Sequence, residues 1–100
     1  MIVQFEPEAL IEYQEAADYS ERRFGLGVQF VQAVQSALDT IAGDPERYQH
    51  VGHEVRIFRM RRFPYYIFYH YDAASEAVVV YALAHHKRKP GYWKKRLPGK

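Results

Sequence analysis

Two hydrophobic periods divide the chain near residue 50. In the first half, apolar residues recur three and four positions apart: Ala9, Leu10, Tyr13, Ala16 and Ala17, then Phe30, Val34, Ala37, Leu38 and Ile41. This spacing predicts two amphipathic helices, each burying one stripe, with Glu12, Glu15 and Asp18 on the outer face of the first. Pro7 suits a first helical turn, where its missing N–H costs nothing. Gly25 and Gly27 interrupt the period between the helices. Gly43 is the expected C-cap of the second, and Asp44-Pro45 prevents its continuation. So short a connection predicts an antiparallel helical hairpin.

The second half reads as strands. Val55–Arg61, Tyr65–Tyr71 and Ala77–Ala84 are rich in β-branched and aromatic residues, and Ile2–Phe5 makes a short strand at the start of the chain. Pro64 separates the first pair of these three strands and Asp72-Ala-Ala-Ser75 the second. Such short links require antiparallel hairpins. The order strand, helix, helix, strand, strand, strand predicts an α+β fold, βααβββ, with the hairpin packed on a mainly antiparallel sheet. Residues 1–96 are expected to form one domain and 97–100 a flexible tail.

Composition narrows the function classes. One hundred residues with 48% hydrophobic content can bury a core and are not disordered. The absence of cysteine excludes disulfides, zinc thiolates and thiol nucleophiles. No basic n-region followed by an apolar core opens the chain, and the longest apolar run, Ala77–Ala84, is far too short to span a bilayer. A soluble, cytoplasmic protein without a membrane role is expected.

Charge adds a direction. Residues 1–50 carry three basic and nine acidic side chains, a net of −6. Residues 51–100 carry eleven basic and three acidic, a net of +8. Such asymmetry points either to nucleic acid or an acidic partner, or to neutralisation between the halves across a compact fold.

The chemistry-bearing residues gather after the last strand. Its apolar run ends in His85-His86-Lys-Arg-Lys-Pro-Gly-Tyr92-Trp93-Lys-Lys-Arg96. Cations interleaved with aromatics suit a polyanion or an acidic protein surface. Neighbours on a continuing strand point to opposite faces, so His85 and His86 are not expected to chelate one metal together. One of them facing the cleft could act as acid, base or phosphate contact, against a packing role for both. Trp93 reads as an anchor for the tail, and Tyr92 as either an anchor or a stacking contact. Arg56, Arg59, Arg61 and Arg62 alternate through one strand into its turn. Arg59 and Arg61 are expected on one face, Arg56 and Arg62 on the other. Arg56 reads as a pairing or edge cation, whereas Arg61 and Arg62 divide between anion binding and pairing with acidic helix residues. His50-x-x-His53 has loose ligand spacing but no completing donor, and Glu54 is the one carboxylate placed to serve as a base near the basic strands, against a reading as a solvated loop residue. No metal or cofactor is expected, and no phosphate-cradling glycine loop or dinucleotide fingerprint occurs.

Three phrases, in this order and spacing, carry a resemblance: Asp44-Pro-Glu-Arg47; Val55-Arg-Ile-Phe-Arg-Met-Arg-Arg-Phe-Pro-Tyr-Tyr-Ile-Phe-Tyr69; and Ala84-His-His-Lys-Arg-Lys-Pro-Gly-Tyr-Trp93. Across nearly its whole length the chain resembles the RelE/ParE superfamily of bacterial type II toxins. The resemblance implies a growth-arresting cytoplasmic toxin, of the kind linked to plasmid stabilisation, held inactive by a cognate antitoxin. That antitoxin is expected to be small, acidic and encoded next door. Some such toxins cleave messenger RNA on the ribosome, whereas ParE-type members poison DNA gyrase. The cleaving branch commonly has an arginine at the start of the third strand, where this chain has Phe63-Pro64-Tyr65. That departure favours the ParE branch, a gyrase inhibitor rather than an enzyme. Its target-binding surface is then expected to comprise Arg61, Arg62, His85, His86, Arg88, Lys89, Tyr92 and Lys94. Under the alternative, a ribosome-dependent endoribonuclease, Arg61, Arg62, His85, His86 and Tyr92 would be catalytic. A non-toxic relative that binds only nucleic acid or an antitoxin-like partner is the third possibility.

Overall fold

A computed structural model describes residues 1–98. The elements are β1 (Ile2–Phe5), α1 (Pro7–Phe24), α2 (Gly27–Gly43), β2 (Arg56–Arg59), β3 (Tyr65–Asp72), β4 (Ala77–His85) and a terminal 3₁₀-helix (Tyr92–Arg96). The fold is the expected α+β arrangement. The sheet order is β1-β4-β3-β2, with β1 parallel to β4 and the other pairs antiparallel. The parallel pair follows from the hairpin, which carries the chain across the sheet between β1 and the remaining strands.

The hairpin turn rests on two glycines. Gly25 caps α1 in the left-handed region (φ 68°), its N–H donating to the Glu21 carbonyl and the Leu26 N–H to the Ser20 carbonyl. Gly27 opens α2 rather than breaking it. A β-carbon there would come within 2.9 Å of Glu21 Cβ, so the helices meet closely only around glycine. Gly43, the expected C-cap, is instead the last residue of α2, and Asp44 is the cap, with its N–H bonded to Ile41 O.

The sheet is covered on both faces. Against one face, Phe30, Val34, Leu38 and Ile41 of α2 and Ala9 and Ala16 of α1 pack on Ile67, Tyr69, Val78, Val80 and Leu83. Small residues on α1 allow close approach. Leu10, expected on the stripe, faces outward at 42% exposure. Burial pushes the Tyr69 phenol up to about 12, and its hydroxyl donates to the Pro45 carbonyl at 2.7 Å. On the opposite face Trp93 and Leu97 pack with Val55, Tyr81 and Ala82. Leu97, expected in the flexible tail, is therefore buried, whereas Gly99 and Lys100 lie outside the described residues.

A β-bulge adjusts β4 to these two cores. Phe68 pairs with Ala82 and Tyr69 with Val80, which leaves Tyr81 without a partner on β3. Tyr81 and Ala82 consequently both serve the second core, and Leu83 returns to the first.

Candidate functional site

The site grows out of the end of β4. Strand pairing stops at His85, opposite Tyr65. The His86 N–H still donates to the Pro64 carbonyl at 2.8 Å, but Pro64 has no N–H to return the bond, and the Arg88 N–H donates to His85 O at 2.9 Å, turning the chain. Because the strand ends here, the two imidazoles do not point to opposite faces: their ring centroids lie 4.6 Å apart at 31°. His85 packs edge-on against Tyr65, which packs in turn against Phe30 of α2. His85 Nδ1 accepts the Lys87 N–H at 3.2 Å, and His86 Nδ1 lies 3.2 Å from Pro64 O. Partial burial and the neighbouring His86 and Lys87 hold the His85 pKa below its ordinary value.

A cleft of about 290 Å³ opens beside this pair, with Tyr66, Phe68 and Trp93 as aromatic wall and His85, His86, Arg88, Lys89, Tyr92 and Lys94 around it. Six of the eight residues expected to bind the target thus converge. Trp93 is the anchor anticipated from the sequence, 2% exposed and stacked obliquely on Phe68 with centroids 5.3 Å apart. Gly91 (φ 76°) makes the turn into the 3₁₀-helix, in a conformation that other residues rarely adopt.

Arg61 and Arg62 lie elsewhere. β2 ends at Arg59 and not at Arg61, because the loop before Pro64 leaves the ladder; both arginines are exposed in that loop. They line a separate groove of about 920 Å³ between α2 and β2, together with Arg47, Arg59, Tyr48, Phe58 and Met60. Within the strand, Arg56 and Arg59 do fall on opposite faces: Arg56 pairs with Tyr69 of the helix side and Arg59 with Tyr66. Arg56 is pinned by the Glu46 and Tyr48 carbonyls, each at 2.7 Å. Its partners are backbone groups rather than acidic helix side chains. The Arg59 guanidinium lies 5.6 Å above the Tyr66 ring. Glu54 is exposed in a turn with φ 60°, and its carbonyl, not its carboxylate, lies 3.0 Å from His70 Nδ1.

The residue that sequence reasoning missed is Glu12. It reads as part of a solvated face, yet it is the hub beneath the rim. Its Oε2 accepts the Tyr92 hydroxyl at 2.6 Å and Arg96 Nη2 at 3.0 Å. Its Oε1 accepts Arg96 Nη1 at 2.9 Å and the Leu83 N–H at 3.1 Å. Burial by itself raises the Glu12 pKa, but the bonds from Arg96, Tyr92 and Leu83 together outweigh it and hold the carboxyl below its usual range. Burial, then the bond to Glu12, pushes the Tyr92 phenol far up. A signal was present in the sequence: Ala9, Glu12 and Ala16 are spaced three and four apart, so Glu12 shares the buried stripe.

The comparisons with known proteins bear on the family and the fold. Residues 3–90 match the family described as ParE toxin of type II toxin-antitoxin system, parDE. The chain belongs to this ParE toxin family of type II toxin-antitoxin systems. Among solved structures that share the fold is the chromosomal ParDE toxin-antitoxin system from P. aeruginosa. It superposes with TM-score 0.62 at 12% identity, covering 85% of this chain and 95% of that one. A mutant of E. coli toxin RelE in the free state gives TM-score 0.69 at 17% identity, covering 96% of each chain. The RelE mutant in complex with an antitoxin RelBc peptide gives 0.62 at 14% identity, covering 99% of this chain and 96% of that one. No curated protein matches the chain in sequence. No helix among the described residues is long and apolar enough to cross a membrane.

Proposed function

We propose that this toxin is ParE-like, arresting growth by binding DNA gyrase through the cationic rim His85–Lys94, and that its antitoxin occupies the groove between α2 and β2. One observation carries the choice of mechanism. The Tyr92 hydroxyl, one candidate for proton transfer in a nuclease, is already engaged by Glu12, and each histidine is tied at Nδ1, His85 by the Lys87 N–H and His86 against Pro64 O, which leaves only the Nε2 atoms for such a role. Arg61 and Arg62, which would have stabilised charge on a reacting phosphate, line the other groove. What the rim offers is a field of exposed cations around an aromatic cleft, suited to association with an acidic surface.

The α2–β2 groove suits an antitoxin segment. β2 is the edge strand of the sheet, its outer side met, among the described residues, only near its start by the 49–50 segment through the Ile57 N–H to Gln49 O bond, and Arg47, Arg59, Arg61 and Arg62 border an apolar floor of Tyr48, Phe58 and Met60. An acidic, ordering peptide meets both features. The family match to a toxin-antitoxin system supports such a partner.

A second reading, ribosome-dependent RNA cleavage, draws on the adjacent imidazoles, one of them with its pKa held below the ordinary value beside a cationic rim. Inducible expression without the antitoxin separates the two. Gyrase-dependent DNA breaks with intact messenger RNA are expected. Rapid messenger-RNA loss without breaks would replace the first reading with the second.

A further inference from the structure

We infer that Glu12 of α1 is a positioning residue for the rim, holding the Tyr92–Arg96 helix and, through the Tyr92 ring, the Arg88 guanidinium. Its importance for target binding rests on the reading of the rim proposed above; its role in holding the segment does not.

The need for Glu12 begins with an unpaired strand edge. β1 accompanies β4 only as far as Val80, because the chain leaves the sheet at Glu6, whose N–H donates to Val80 O, and enters α1 at Pro7. Beyond that point the outer edge of β4 presents the Tyr81 carbonyl and the Leu83 N–H to no strand. Arg96 Nη1 donates to the first at 2.9 Å, and Glu12 Oε1 accepts from the second at 3.1 Å. The ion pair takes the place of the missing strand and, in doing so, ties three separate segments together.

The rim depends on the same carboxylate. Tyr92 is fixed at its hydroxyl by Glu12, and its ring lies 3.9 Å beneath the Arg88 guanidinium carbon and 4.9 Å from that of Arg96. Arg88 Nη1 is also 3.9 Å from Glu12 Oε2, while the Arg88 side chain keeps 55% exposure for a partner. Arg88 is thus held on one side and open on the other, which lowers the ordering cost of binding an anionic group. Glu8 makes a looser contact, 3.4 Å from Arg96 Nε without hydrogen-bond geometry, and its side chain is 57% exposed.

The chemistry of the clamp makes it testable by an isosteric change. Glu12 uses both oxygens as acceptors. Glutamine has one, so Glu12→Gln turns an amide NH₂ toward guanidinium or backbone N–H donors. Trp93, the single tryptophan of the chain, sits in the clamped helix and reports its docking by fluorescence. Glu8→Gln on the same helix removes the same charge and is the control.

In purified full-length protein, Glu12→Gln is expected to shift Trp93 emission to longer wavelength and to speed Leu83 amide exchange on the order of tenfold, while unfolding stays cooperative. Glu8→Gln should leave both signals unchanged. Unchanged emission and exchange in Glu12→Gln, or equal changes in Glu8→Gln, would overturn the inference. If Glu12→Gln does not fold, Tyr92→Phe removes the hydroxyl donor alone. A smaller shift in the same direction supports the clamp, and an unchanged signal overturns it. Growth arrest is scored separately. Shifted emission with full arrest keeps the clamp and overturns the rim as the target surface.

Discussion

The two faces of the sheet are held by different forces. The helix-covered face is an aliphatic and aromatic core whose residues follow from the helical and strand periods. The opposite face is small, built on Trp93, Leu97 and Tyr81, and is locked at its margin by the Glu12–Arg96 pair. Apolar burial is non-directional and scales with area, so the first face tolerates some imprecision. An ion pair of two partly buried groups depends on geometry, and its net worth is a small difference between attraction and desolvation. The first face therefore governs whether the chain folds, and the second governs how the rim is presented.

That contrast can be broken from either side. The largest effect is expected on the helix face, where Leu38 is 6% exposed. Leu38→Ala should cost roughly 2–5 kcal/mol in urea unfolding, through the cavity it leaves. A change below about 0.5 kcal/mol would mean that α2 does not carry the core stripe.

The rim should behave oppositely. Reversing Arg88, Lys89 and Lys94 to glutamate is expected to weaken target binding on the order of 100-fold and abolish growth arrest, because these cations act in association. Unfolding free energy should move by no more than about 1 kcal/mol: the exposed Lys89 and Lys94 contribute little to stability, and the part that moves belongs to Arg88, which leaves the Tyr92 ring and brings a carboxylate near Glu12. Full arrest by this triple variant would remove the rim from the mechanism.

Acid should loosen one face before the other. The Glu12 carboxyl is held below its usual range, so its contribution is present above the ordinary carboxylate pKa and is lost as pH falls through its lowered value. Trp93 emission should shift as the pH is brought below the carboxylate range, ahead of the helical far-UV signal. In Glu12→Gln this acid step should be missing. Coincident transitions in the wild type would show that the two faces unfold as one unit.

The smallest effect is expected from replacing His85 and His86 with glutamine together, with arrest reduced about threefold or less. Under RNA cleavage the same change would cost on the order of 10²–10⁴ in rate. Arrest assays with both sets of variants, run side by side with gyrase-dependent breaks and messenger-RNA integrity, place the protein in one branch.

Element order, helix stripes and the gathering of cations after β4 were legible in the sequence because they depend on local period and on residues adjacent in the chain. Val34 and Leu38 declare themselves by spacing, and Trp93 by its size amid polar neighbours. The parting of Arg61 and Arg62 from the histidines was not legible. It arises because the strand stops at Arg59, and loop geometry before Pro64 depends on packing between distant segments. The stacking of His85 on His86 likewise needed Pro64, 22 positions from His86, whose missing N–H ends the ladder there.

Glu12 shows the division most plainly. Its place on the Ala9–Ala16 stripe follows from helical period alone, and that position is enough to bring it toward the interior. Which donors would meet it there was decided only by the tertiary structure. Tyr92 and Arg96 lie 80 and 84 positions away, and they reach the carboxylate only because β1 ends early and leaves the β4 edge open. Local sequence determines which face a side chain occupies; a buried charge finds its partners through the topology that carries remote segments to that face.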